Sequence, residues 1–234
     1  MKRISLILCS MFLTNVVANA QIYKRTLPKM PEPVKEITKD TKTGFMLGVE
    51  TGFNLIKGDN SDRFVVDSGL KIGYSLFFTK TWGMRLYGSY SYSFDDFVTS
   101  YKGVEILSDL YANTHTFLFN ADALYDFYNN SDLKLSLGVI LGVGAGYQIS
   151  PQKTYPAQTE TYNYTQSGFK VACSAGFSLA FASKHRLEIL YRYVVLQPDM
   201  QNIVKNNNGT SVIRTETFSL QSPFSFHLGY SFVF

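Results

Sequence analysis

The sequence predicts an all-β chain: about eight antiparallel strands closed up-and-down into a transmembrane barrel, behind a cleaved amino-terminal signal peptide. Three observations carry that expectation. From Gly44 to Phe234 apolar residues recur at every second position almost everywhere outside the connectors, long and short connectors alternate, and aromatics gather near both strand ends. With 45% hydrophobic, 15% aromatic and only 17% charged residues, the chain has too much apolar surface for a disordered protein.

The first segment is read before any strand. Lys2 and Arg3 form a basic start, Ile4 to Val17 an apolar stretch, and Ala18-Asn19-Ala20 a small-x-small cleavage site, the pattern of a secretory signal. The apolar run is too short for a spanning helix of roughly 20 residues. Residues 1–20 are therefore expected to direct export. Residues 21–43, punctuated by Pro28, Pro31 and Pro33, read as an extended periplasmic tail, and residues 44–234 as the barrel. Cleavage leaves Cys173 without a partner, so neither an internal disulfide nor a cysteine metal cluster is expected. The net charge of +4 is spread without a Lys/Arg run, which argues against nucleic-acid binding.

The strands follow in order. The first sets Phe45, Leu47, Val49, Thr51 and Phe53 against Met46, Gly48, Glu50, Gly52 and Asn54. In the second, Val66, Leu70, Ile72, Tyr74 and Leu76 alternate with Asp67, Gly69, Lys71, Gly73, Ser75 and Phe77. The third, Trp82 to Phe94, opposes Met84, Leu86, Tyr90 and Tyr92 to Arg85, Ser89, Ser91 and Ser93. A fourth places Phe117, Phe119, Ala121, Ala123, Tyr125 and Phe127 opposite Thr116, Asn120, Asp122 and Asp126. The fifth runs from Leu133 to Ile149, with Lys134, Ser136 and the glycines Gly138 to Gly146 on its inward face. The sixth opposes Phe169, Val171, Cys173 and Phe177 to Lys170, Ser174 and Ser178. In the seventh, Leu187, Ile189, Tyr191 and Tyr193 alternate with Glu188 and Arg192. The eighth closes with Phe224, Phe226, Leu228, Tyr230, Phe232 and Phe234 against Ser225, His227, Gly229 and Ser231.

Alternation also occurs in soluble sandwiches, so the connectors decide. Leu55–Arg63, Asp95–Asn113, Ser150–Gln166 and Gln197–Val212 are polar and long, whereas Thr79–Thr81, Tyr128–Asp132 and Ala182–Arg186 are short. Long outer loops and short periplasmic turns are the asymmetry of a bacterial barrel. Two aromatic girdles are expected, one containing Phe45, Trp82, Tyr125 and Phe232, the other Phe53, Phe117, Tyr147 and Tyr193, as interfacial aromatics require. Closure satisfies every backbone group in lipid.

The last strand resembles the terminal strand of outer-membrane proteins, with Tyr230, Phe232 and Phe234 at alternate positions. In those proteins this pattern is read by the barrel-assembly machinery, which the resemblance makes an expected partner. From about Gly44 onward the chain is similar to the OmpA/OmpX-type eight-stranded barrels, and its loops are similar to those of epsilonproteobacterial surface proteins. The resemblance implies the Gram-negative outer membrane, with its lipid and lipopolysaccharide as surroundings. It transfers no active site.

The inward set predicts a lumen charge network of Glu50, Lys71, Arg85, Asp122, Lys134, Lys170, Glu188 and Arg192. An eight-stranded interior is just wide enough for side chains to fill, and an unpaired charge there costs several kcal/mol. The network reads as a structural plug, or alternatively as a narrow porin-like channel favouring anions. An enzyme needs a nucleophile beside a base. His115 falls near the outer rim, His185 in a periplasmic turn and His227 inside the last strand near the periplasm, too far apart for one site. A non-enzymatic role is therefore expected, structural or in adhesion and host contact through the outer loops, whose Tyr155, Tyr162, Tyr164 and Asn206 to Gly209 suit an adaptable binding surface. A lipid A-modifying enzyme is the weakest alternative. No cofactor is implied.

Overall fold

A computed structural model describes residues 39–57, 62–94, 113–156, 160–206, 212–218 and 221–234. The signal segment, most of the tail and the greater part of the 95–113 connector lie outside the described residues. A four-residue helix, α1 (Lys39–Lys42), leads into the strands β1 (Gly44–Lys57), β2 (Asp62–Phe77), β3 (Trp82–Phe94), β4 (His115–Asn130) and β5 (Leu135–Ile149). These are followed by β6 (Lys153–Pro156), β7 (Glu160–Thr165), β8 (Ser167–Phe181), β9 (His185–Leu196), β10 (Met200–Asn206), β11 (Val212–Phe218) and β12 (Gln221–Val233).

Eight of these strands close into a barrel in the order β1-β12-β9-β8-β5-β4-β3-β2. Every neighbouring pair is antiparallel, and the seam is made by β1 and β12, where Val49 lies opposite Tyr230 and Phe53 opposite Phe226. The seam strands also bond at the chain end, where the Phe234 N–H donates to Phe45 O at 2.9 Å. Closure leaves no edge in the wall, the condition a hydrocarbon environment sets.

The two faces follow the period-two pattern. Phe45, Phe53, Trp82, Phe117, Tyr125, Tyr147, Phe169 and Tyr193 are exposed on the outer face. Trp82 packs against Tyr125 with centroids 4.5 Å apart, and Phe45 against Phe234 at 5.9 Å. Between the girdles the outer face carries Leu70, Ile72, Leu141, Val143, Cys173, Phe177 and Ile189, also exposed. The inward face mixes charges with two apolar clusters, one of Phe77, Leu124, Ile140 and Leu190, the other of Met46, Tyr87 and Val233.

Three connector expectations are corrected. Pairing of β1 with β2 continues to Lys57 opposite Asp62, so the first connector shrinks to residues 58–61. The third and fourth connectors are not loops along their length. They fold as hairpins β6–β7 and β10–β11, which join through β7 and β10 into a four-stranded sheet ordered β11-β10-β7-β6. Their sequences explain this. Thr161, Tyr162, Tyr164 and Thr165, then Ile203, Val204, Val212, Ile213, Thr215 and Thr217, supply the β-branched and aromatic residues strands favour, and polar content alone does not prevent pairing where no lipid is present. This sheet continues from the barrel end opposite the short turns. Its strand β10 buries Met200, Asn202 and Val204, and the Gln166 amide donates to Pro198 O at 2.8 Å where the hairpins meet the wall.

Candidate functional site: the lumen

The interior is organised in three levels. At the middle, Arg85 of β3 donates through Nε to Asp122 of β4 at 2.6 Å and through Nη2 to Glu188 of β9 at 3.0 Å; Nη1 also bonds Glu188. Lys71 of β2 reaches Glu50 of β1 at 2.8 Å and Glu188 at 3.3 Å, and Arg192 of β9 reaches Glu50 at 3.3 Å. Ser231 donates to Glu188 at 3.0 Å. Three bases thus meet three acids, and each named group is buried. Tyr87 adds its ring face, with Arg85 5.1 Å and Lys71 5.8 Å from its centroid, a cation–π arrangement favoured where water is excluded.

The short-turn level holds a second cluster. Lys42, the last residue of α1, donates to Asp126 at 2.7 Å, to Asn129 at 2.7 Å and to Lys80 O at 3.0 Å. Arg186 of β9 meets the same Asp126 carboxylate through both terminal nitrogens, at 3.0 and 2.9 Å, and Ser178 at 2.6 Å. Burial pushes the Lys42 ammonium below its ordinary pKa, while Asp126 works in the opposite direction. Phe77 lies under both bases, 5.1 Å from Lys42 Nζ and 5.6 Å from the Arg186 guanidinium.

The level nearest the long connectors is polar and less filled. A cavity of about 20 Å³ is lined by Asn54, Asp67, Ser93, Gln148, Lys170 and Arg192, among others. That is room for about one water molecule. Lys170 donates to Gln148 Oε1 at 3.1 Å, and Gln148 in turn donates to Gln166 at 3.2 Å.

The eight charges expected from sequence are therefore placed as follows. Glu50, Lys71, Arg85, Asp122, Glu188 and Arg192 come together at the centre. Lys170 points into the lumen at a different level. Lys134 does not: it is exposed in the β4–β5 turn with φ of 50°, because strand β5 begins one residue later and the left-handed turn carries the side chain out of the wall's alternation. His227 also differs. It lies opposite Gly52, well up β1 from the short-turn end, so it is not near that end. Lys42 and Arg186 were missed, since one sits in the tail and the other in an assigned turn. Asp126, on the expected inward face, was the available signal for them.

The sequence profile of Helicobacter outer membrane proteins matches residues 69–234, more than half of the chain. The chain belongs to the Helicobacter outer membrane protein family. A member of that family is an outer-membrane β-barrel, in keeping with the closed wall, lipid-type outer face and filled lumen described above. Among solved structures, the chain is similar to Neisserial surface protein A (13% identity, 82% of this chain and 97% of that one, TM-score 0.44). It is also similar to OprG of Pseudomonas aeruginosa (14%, 82% and 97%, 0.45) and to Ail of Yersinia pestis, solved with the heparin analogue sucrose octasulfate (14%, 82% and 99%, 0.39). No curated protein matches the chain.

Proposed function

We propose that this family member is a closed, non-conducting outer-membrane barrel whose task is to display the β6–β7 and β10–β11 sheet at the cell surface. One observation carries the reading: Arg85 and Glu188, with Asp122, Lys71, Glu50 and Arg192, bridge the lumen at its middle with buried ion pairs. Displacing such a network to admit ions leaves uncompensated buried charge, at several kcal/mol per group. The cluster also balances three bases with three acids, so it offers permeating anions no net charge. The wall is the rigid support, and the surface contact falls to the extension. Tyr162, Tyr164, Gln201, Lys205 and Arg214 give it a polar, tyrosine-bearing character suited to an extracellular ligand.

Orientation follows from the same reading. The short turns and the barrel's two chain ends face the periplasm, residues 1–20 direct export, and the aromatic girdles sit in outer-membrane lipid and lipopolysaccharide. Tyr230, Phe232 and Phe234 present the assembly signal to the barrel-assembly machinery. An enzyme is disfavoured by burial: the histidine beside a serine hydroxyl, His227 with Ser225 Oγ 2.7 Å from Nε2, is enclosed in the lumen, and the other two lie elsewhere. His115 is engaged by the Tyr90 hydroxyl at 2.9 Å, and His185 by that of Tyr230 at 2.6 Å, each outside the lumen and apart from the other.

Single-channel recording of the refolded protein in a planar bilayer tests the proposal. A silent membrane, with insertion shown by protease protection, is the expected result. Discrete ion-selective steps would replace the plug with a narrow diffusion channel and give Lys170 and Arg192 a selectivity role.

A further inference from the structure

Three residues form one row across the upper lumen. Gly52 of β1 lies opposite Asp67 of β2 on one side and His227 of β12 on the other. A Cβ at Gly52 would stand 2.6 Å from His227 Nδ1. The bare glycine is therefore what lets the imidazole lie across β1 toward Asp67. The ring's Nδ1 comes 3.5 Å from Asp67 Oδ1, just beyond an effective N–H···O bond. Its Nε2 lies 2.7 Å from Ser225 Oγ.

Asp67 Oδ1 and His227 Nδ1 are both buried and both lack a hydrogen-bond partner. Buried polar atoms are ordinarily bonded. In the neutral ring a proton on Nδ1 faces the carboxylate while Nε2 accepts from the Ser225 hydroxyl. A second proton, taken up at Nε2 with Ser225 Oγ turned to accept it, makes an imidazolium whose Nδ1–H is held by the Asp67 carboxylate. The charged groups acting on the ring are Asp67 and Lys71 from β2, Glu50 from β1 and Arg192 from β9, and Lys170 from β8 and Arg192 act on Asp67. Glu50 already holds both Lys71 and Arg192. The carboxylate left facing the ring is Asp67.

The geometry points to Asp67 and His227 as a proton-binding site that ties β2 to β12 across Gly52. Uptake changes the charge of the pair from −1 to 0, and the proton comes from solvent. The entry lies beside it: Asp67 also lines the polar cavity bounded by Asn54, Ser93, Gln148 and Lys170, on the long-connector side. The site thus reads pH from the side of the extracellular extension, and its proton-bound form draws two strands together at the floor of that cavity.

The test is histidine ¹⁵N NMR of the full chain refolded in lipid nanodiscs, with the His227 signal identified by its loss in His227→Gln. Reversible titration is expected, and Asp67→Asn should weaken proton binding at His227 about tenfold or more. At a fixed pH the substitution should leave the signals of His115 and His185 in place. In the unsubstituted protein, the Asp67 carboxyl ¹³C signal should move with the His227 midpoint, which decides the matter if Asp67→Asn fails to fold. A His227 that does not titrate, or an Asp67 signal that moves independently of it, overturns the assignment; so does an unchanged midpoint in folded Asp67→Asn.

Discussion

Arg85 and Glu188 stand on strands four places apart around an eight-stranded ring, so they come from opposite walls and meet in the lumen, with Nη2 3.0 Å from Oε2. A contact of this kind exists only once the barrel has closed. It joins the two halves of the chain, 103 residues apart in sequence, in a way that no neighbouring-strand pair does.

Replacing Arg85 by Met should therefore cost about 3–5 kcal/mol, because it strands the buried Asp122 carboxylate and leaves Glu188 with Lys71 as its base, rather than merely deleting a bond. Urea titration of the refolded protein, followed by the single tryptophan Trp82, measures it. Adding Glu188→Met should recover part of the loss, so that the double substitution costs less than the sum of the two single ones. Strict additivity would mean that the pair contributes nothing specific.

Most of the wall was legible because lipid and lumen impose opposite chemistry on successive residues. Along Phe117 to Phe127 each outward residue is apolar and each inward one is polar or tightly buried, and the pattern survives translation into structure. The lumen charges were legible for the same reason, except where a turn breaks the alternation. Lys134 sits just outside β5, and Arg186 just inside β9, and the alternation carries no marker of which side of a turn a residue falls on. The hairpins β6–β7 and β10–β11 were hidden differently. Their polar residues look like loop, yet Asn208-Gly209 between β-branched runs is a hairpin signal. Lys42 was invisible, because nothing in a proline-rich tail marks the one residue that enters the barrel mouth.

Glycines on the inward face make a second prediction. A Cβ at Gly142 would lie 2.0 Å from Asp122 Oδ1 and 2.7 Å from Ser174 Oγ, so Gly142→Ala pushes on the carboxylate that Arg85 holds. A loss of about 1–3 kcal/mol is expected from the overpacking. Gly88, on the outer face between Ile72 and Phe119, provides the control. There the nearest atom to an added Cβ is Ile72 O at 4.0 Å, and Gly88→Ala should stay within about 0.5 kcal/mol of the parent. Equal effects would show that the central cluster tolerates displacement.

The tail's contact with the barrel can be separated from the central plug. Lys42→Ala removes three hydrogen bonds at the short-turn mouth while leaving Arg186 on Asp126. The expected cost is about 1–3 kcal/mol, that of deleting a buried charged donor whose partner keeps another. Amide exchange should quicken at the start of β1 and at Phe77, whose N–H donates to Thr43 Oγ1 at 2.9 Å, and stay unchanged around Glu188. Faster exchange throughout the barrel would make Lys42 part of the global fold rather than a local stopper.

The terminal aromatics allow assembly and stability to be told apart. Phe234 touches Phe232 with centroids 4.9 Å apart and Phe45 at 5.9 Å, yet its ring is exposed on the outer face. Its removal therefore deletes little packing, and its backbone bond to Phe45 O does not depend on the side chain. Phe234→Ala should refold spontaneously in detergent with a stability within about 1 kcal/mol of the parent, since surface truncations away from buried networks cost little. If the terminal pattern is read during assembly, the same substitution should markedly slow insertion into vesicles carrying the barrel-assembly machinery. Comparing the two rates side by side decides it, because a purely structural role would slow both together, and a residue without either role would slow neither.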